Sequence, residues 1–126
     1  MIGQDPLNIP KTRVKFEPGD YVDGTLWTYD TDVSSDQFEL YVEKLDVDDK
    51  YQGKETIVQA RYRVGAELNL SGREVQLVLP ESETEKYEAG RRYVGVLFHG
   101  DPTAQDGENR DRDLWVLFQP TDYHRL

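Results

Sequence analysis

Residues 75–100 read VQLVLP-ESETEKYEAG-RRYVGVLFHG, a pattern of strand, one turn of helix and second strand. Val75, Leu77 and Leu79 alternate with Gln76 and Val78, and Pro80 stops the ladder. Ser82 stands three residues before Glu85, the spacing of a capping box, in which hydroxyl and carboxylate each answer a free N–H at a helix start. Gly90 closes the turn, and Tyr93, Gly95 and Leu97 begin a new alternation. A tyrosine that opens a strand just after a helical corner and a glycine forms a tyrosine corner when its phenol bonds back to upstream backbone. Ser82, Glu85, Gly90 and Tyr93 are therefore read as structural residues that join two facing sheets.

Working outward, the N-terminal side carries more short strands. Residues 1–12 hold Pro6 and Pro10 with three isolated apolar side chains, Ile2, Leu7 and Ile9, and read as an extended arm. Arg13–Phe16 is a short edge-like strand ended by the turn Glu17-Pro18-Gly19-Asp20. Tyr21–Tyr29 follows, with Trp27 as a core anchor and Gly24 as a candidate bulge. Asp30–Asp36 is polar and reads as a turn; Phe38, Leu40 and Val42 then alternate with Glu39, Tyr41 and Glu43. Asp46–Gly53 is a further turn, Glu55–Val64 a further period-two strand, and Leu68 and Leu70 a short continuation.

On the C-terminal side, residues 100–112 (GDPTAQDGENRDR) lie between two apolar strands and predict a long hairpin loop. Leu114-Trp115-Val116-Leu117-Phe118 is apolar on both faces, so it should be central in its sheet, or be covered by the arm or by a partner. No segment is long enough to be a helix crossing between parallel strands, which excludes α/β folds. The expected fold is all-β: an immunoglobulin-like antiparallel β-sandwich of about seven or eight strands with one short helical turn near 82–89. Residues 13–119 form the single domain, 1–12 the arm and 120–126 a tail.

Composition narrows the function. The chain has 126 residues, 15 basic against 25 acidic side chains, a formal charge of −10 and no cysteine. Length fits one domain with its own core. The absent cysteines exclude a disulfide framework and thiolate metal sites. Excess negative charge disfavours nucleic-acid backbones and anionic membranes. No apolar run reaches a membrane-spanning length, and MIGQDPLNIP lacks the basic and apolar regions of a signal peptide, so a soluble, non-exported chain is expected.

Chemistry-bearing motifs are few. Asp30, Asp32, Ser34 and Asp36 alternate like the start of a calcium loop, but position six is Ser35 and position twelve is Tyr41, where glycine and glutamate are needed. Asp46, Asp48 and Asp49 have the same status, a turn that at most holds a weak cation. His99 and His124 are not at metal-ligand spacing, and His99 reads as a surface histidine ending a strand. The serines fall in turn or cap positions and no nucleophile elbow occurs. No metal, cofactor or catalytic residue is assigned, and the chain is read as a non-enzyme. Tyr21, Tyr29, Tyr41, Tyr51, Tyr62 and Tyr87 fit half-buried sheet positions, a protein interface or a sugar platform.

Glu17-Pro18-Gly19-Asp20 ahead of a strand bearing Trp27 is similar to the entry of small β-sandwich modules in tailed bacteriophages. The run Val75–Pro80, Glu83-Thr84, Ala89-Gly90 and Tyr93 resembles the corner of the same modules, the N-terminal domains of baseplate upper proteins and related virion proteins. It has one extra residue between Gly90 and Tyr93. The likeness covers about 80 of the 126 residues; the long acidic loop, the short length and the lack of a C-terminal trimerising segment are departures. It implies a stand-alone structural subunit of tail, baseplate, neck or capsid decoration, localised to the virion, a homo-oligomer or multi-copy within the assembly, and binding other virion proteins. The partner contacts are placed on Ile2, Leu7 and Ile9 of the arm, on edge strands, and on Asp101, Asp106, Glu108, Arg110 and Arg112 of the loop. Trp27 and Trp115 join the corner residues as structural. A stand-alone carbohydrate-binding module is the alternative.

Overall fold

The computed structural model describes residues 11–44, 59–100 and 110–121. Eight strands and one helical turn follow in order: β1 (Lys11–Phe16), β2 (Val22–Thr28), β3 (Phe38–Lys44), β4 (Gln59–Arg63), β5 (Leu68–Ser71), β6 (Glu74–Leu79), α1 (Glu81–Thr84), β7 (Tyr93–Gly100) and β8 (Arg110–Pro120). A five-stranded sheet, β1-β8-β7-β3-β4, faces a three-stranded one, β2-β6-β5. Consecutive strands are shared between the sheets in the immunoglobulin-like manner, and the fold is an all-β sandwich.

Period-two patterning builds the core. Leu40 and Val42 of β3, Tyr93 and Leu97 of β7, Leu114, Val116 and Phe118 of β8, and Val75, Leu77 and Leu79 of β6 are all buried between the sheets. Each such side chain contributes about 1.5–3 kcal/mol by leaving water. Gly95 sits among them for lack of room: a Cβ there would lie 3.1 Å from Leu40 Cδ1 and 3.3 Å from Val42 Cγ2. Its missing side chain lets β3 and β7 pack under the opposite sheet.

Several local expectations are corrected. The bulge in β2 lies between Thr25 and Trp27 instead of at Gly24. It turns Leu26 into the core and leaves Trp27 only packed against the core's edge, not anchored within it. The polar turn 30–36 holds a core residue, Val33, 1% exposed, whose N–H donates to the Gly72 carbonyl. β1 begins at Lys11, inside the segment assigned to the arm, and pairs with β8 in parallel from Lys11↔Trp115 to Phe16↔Pro120. That one parallel pair departs from the otherwise antiparallel ladders. β8 continues to Pro120, one residue into the segment read as a tail.

The capping box does not form. Pro80, with φ −69° and ψ 162°, occupies the N-cap, and its carbonyl accepts the Glu83 and Thr84 N–H groups. Ser82 is thus already inside the turn and exposed, and Glu85 is the C-cap. Pro80 shifts the helix frame because its ring fixes an extended entry and it has no N–H to be capped. The working side chain is Thr84, fully buried: its Oγ1 accepts the Gly19 N–H at 3.0 Å and donates to the Asp20 carbonyl at 2.7 Å. The Glu17–Asp20 turn is thereby fastened to the corner, with Gly19 at φ +97°, a conformation that suits glycine.

Beyond Thr84 the chain reaches Tyr93, whose phenol oxygen accepts the Glu88 N–H at 2.9 Å, five residues upstream. Gly90, at φ +83°, turns the chain between them, and its N–H donates to the Pro120 carbonyl. Beneath lies an aromatic cluster. Tyr87 meets Phe16 and Tyr93 edge-on at 5.3 and 4.7 Å and stacks on Phe118 at 5.6 Å.

Candidate protein-interaction face

An antiparallel sheet with one covered face normally turns polar side chains to water. The five-stranded sheet does so mainly toward its edges. On its outward side, register sets Arg61–Tyr41–Val96–Trp115–Lys11 in one row across five strands. A second row is Gln59–Glu43–Val94–Leu117–Arg13, and a third is Arg63–Glu39–Phe98–Arg112. Tyr41, Val94, Val96, Phe98, Trp115 and Leu117 are each half-buried, so the centre of the face is apolar. β8 is apolar on both sides, as its sequence indicated, and it is an interior strand between β1 and β7.

Cations border this centre on both edges. Lys11, Arg13 and Lys15 point outward from β1, each exposed, while Val14 and Phe16 turn inward. On β4, Arg63 Nε and Arg61 Nη1 bond Glu39 at 2.9 and 3.2 Å. Glu39 is 0% exposed although it lies on the outward side, and these two guanidinium groups help to offset the cost of burying its charge. Arg61 also lies 4.8 Å above the Tyr41 ring, and Arg112 lies 5.8 Å from the Phe98 ring centroid. Aromatic side chains with arginine are the composition enriched in protein interfaces.

Two polar atoms on the outward side of β8, Trp115 Nε1 and Gln119 Oε1, are buried without a hydrogen-bond partner among the described residues. Native structures leave few such atoms unanswered, each at a cost of about 1–3 kcal/mol.

A second cluster lies at the end of β7. His99 stacks on Phe38 at 4.4 Å, its Nδ1 is 2.9 Å from Asp113 Oδ2, and its Nε2 is 2.8 Å from Asp36 Oδ2. Tyr29 donates its hydroxyl to the same Asp113 oxygen at 2.8 Å. Carboxylates only accept, so both histidine contacts are hydrogen bonds only while the ring carries both protons. Burial first, and then the bond to Asp113, pushes the Tyr29 phenol well above its ordinary range, so it stays protonated. The cluster ties the 30–36 turn to β7 and β8; His99 is more than the strand-end surface histidine expected. Among the described residues no group of three His, Asp or Glu side chains is placed to hold a metal ion.

The sequence-assigned residues are distributed as follows. Tyr93 and Gly90 lie in the corner with Ser82 and Glu85, whose capping role is corrected above. Trp27 edges the core and Trp115 centres the outward face. Arg112, expected in the loop, belongs to β8, and so does Arg110. Ile2, Leu7, Ile9, Asp101, Asp106 and Glu108 lie outside the described residues, as do Tyr51, the Asp46–Asp49 turn and His124. Tyr62 and Tyr87 are 2% exposed and offer no ring face to a sugar. Tyr87 and Tyr62 share a 2.6 Å hydrogen bond, and Tyr62 donates to Glu83 at 2.8 Å, which makes Tyr87 the donor to Tyr62.

The missed residues are Thr84, Val33, Asp36 and Asp113, and the cations of β1 and β4. Alternation of Lys11, Arg13 and Lys15 with Val14 and Phe16 was the signal for the β1 cations.

Comparison with known proteins returns nothing similar: no family model, no curated protein and no solved structure matches this chain.

Proposed function

We propose that this chain is a non-enzymatic binding subunit that joins other proteins of an assembly through the outward face of its five-stranded sheet. The observation that carries the proposal is the apolar centre at Val94, Val96, Phe98, Trp115 and Leu117, where sheet patterning calls for polar side chains. The chemistry-bearing side chains support it from the other side. His99, Asp36, Asp113 and Tyr29 bond to one another, and Glu39 is matched by Arg61 and Arg63. The assembly we favour is the virion of a tailed bacteriophage, with this chain as a tail, baseplate, neck or decoration subunit. That part rests on the resemblance of the Glu17–Asp20 entry and the 75–93 corner to phage sandwich modules.

Quantitative mass spectrometry of purified particles from the source tests the virion assignment. The chain should be present at a fixed, multi-copy ratio to the major particle proteins. Its absence from particles, with abundance elsewhere in the cell, would remove the virion reading and leave the binding face to be tested separately.

A further inference from the structure

Among the described residues, six cations stand on the outward face of the five-stranded sheet: Lys11, Arg13, Lys15, Arg61, Arg63 and Arg112. Among the described residues, two acidic side chains share that face, Glu39 and Glu43. Glu39 is answered by Arg61 and Arg63. A strongly acidic protein therefore presents one basic, apolar-centred surface. Building on the binding role proposed above, we propose that this face docks an acidic protein partner, one whose apolar side chains enter between carboxylates that meet the two basic edges.

Charge decides between this occupant and a second copy of the chain. A two-fold pairing places a surface against itself. Both edge strands here are basic, β1 through Lys11, Arg13 and Lys15 and β4 through Arg61 and Arg63. Whichever edge of one copy met an edge of the other, cations would oppose cations around an apolar centre. Such juxtapositions suppress wrong partners in interfaces. A partner with carboxylates flanking its apolar residues satisfies both edges at once, and its oxygens suit an arginine-rich surface. The apolar rows between the edges supply the burial that a purely electrostatic contact lacks.

A random-peptide display library panned against the full chain tests this. Enriched peptides should combine Asp or Glu with aromatic or branched apolar residues, and their binding should shift amide resonances of β7 and β8. The double variant Arg13→Glu/Lys15→Glu should weaken that binding by about tenfold, and added salt should weaken it further. Arg73→Glu, in the exposed β5–β6 turn of the other sheet, should leave it unchanged. The β1 residues are chosen because altering Arg61 or Arg63 would remove an ion pair from the buried Glu39 and threaten the fold; circular dichroism verifies that each variant is folded. Neutral or basic peptides enriched on this face would overturn the acidic partner while keeping the docking role. Peptides that bind elsewhere, or no enrichment at all, would overturn the face itself. Binding of duplex DNA or anionic vesicles to the face, or a dimer in sedimentation equilibrium that Val96→Glu dissolves, would replace this partner with another.

Discussion

The corner at residues 80–93 and the outward face of the five-stranded sheet are both rich in aromatic side chains, and they are finished in opposite ways. In the corner every polar atom named above is answered from within the chain: Tyr93 by Glu88, Thr84 by Gly19 and Asp20, Tyr87 by Tyr62, Tyr62 by Glu83. On the face, Trp115 Nε1 and Gln119 Oε1 are buried and unanswered among the described residues, and apolar side chains stand at the centre where water should be. Aromatic content alone does not separate a folding device from a binding surface. Hydrogen-bond accounting does, because a corner that serves only the fold has no reason to leave a donor orphaned.

Phe118→Ala should produce the largest effect. It removes the ring on which Tyr87 stacks and leaves a cavity beneath the corner, for a loss of about 3–5 kcal/mol in urea unfolding. A loss well under that range would mean that the corner is loosely packed and the contrast with the face overstated. Thr84→Val comes next, since it keeps the shape and strands the Gly19 N–H and the Asp20 carbonyl; a loss of about 1–3 kcal/mol is expected. If it were neutral, Pro80 alone would hold the turn.

Acid should act on the corner through Glu88. Burial raises its carboxyl, but hydrogen bonds and charges from Lys44 and Arg91 outweigh burial and hold it below the ordinary value of 4.5. Its folded-state value is depressed, so the stability it contributes is present above 4.5 and is lost as pH falls through the lower folded value. Lys44→Met should therefore flatten the decline of stability below that pH, measured by urea unfolding across an acid series. A decline as steep as in the parent protein would remove Glu88 from the corner's support. The smallest effect is expected on the face: Trp115→Phe removes the orphaned donor but also part of a half-buried ring, and because the two offset, stability should change by less than about 1 kcal/mol. A much larger loss would show that the indole N–H is bonded after all.

Local pattern carried most of the fold. Strands β6, β7 and β8 alternate in the residues themselves, and Tyr93 after Gly90 marked the corner. What failed was the capping box, since Ser82 and Glu85 have the right spacing but Pro80 had already set the helix start two residues earlier. Val33 was lost in a polar run because one apolar residue has no period. Partners far apart in the chain were beyond any local reading: His99 meets Asp36 across 63 positions, and Gly19 meets Thr84 across 65. The face was half legible. Leu114–Phe118 announced two apolar sides, but whether the second side meets the chain's own residues depends on strand order, which no single strand contains.

The parallel ladder between β1 and β8 has a mechanical consequence. Lys11 opens the first strand and Pro120 ends the last, and they lie at opposite ends of a six-pair register. A pull that draws these two points apart runs along the strands, so the ladder is loaded in shear and its hydrogen bonds share the force. They do not open one after another like a zipper, and the Thr121 N–H donated to the Phe16 carbonyl extends the same seam. A sandwich stitched this way resists stretching best along the line that joins the outer ends of its first and last strands.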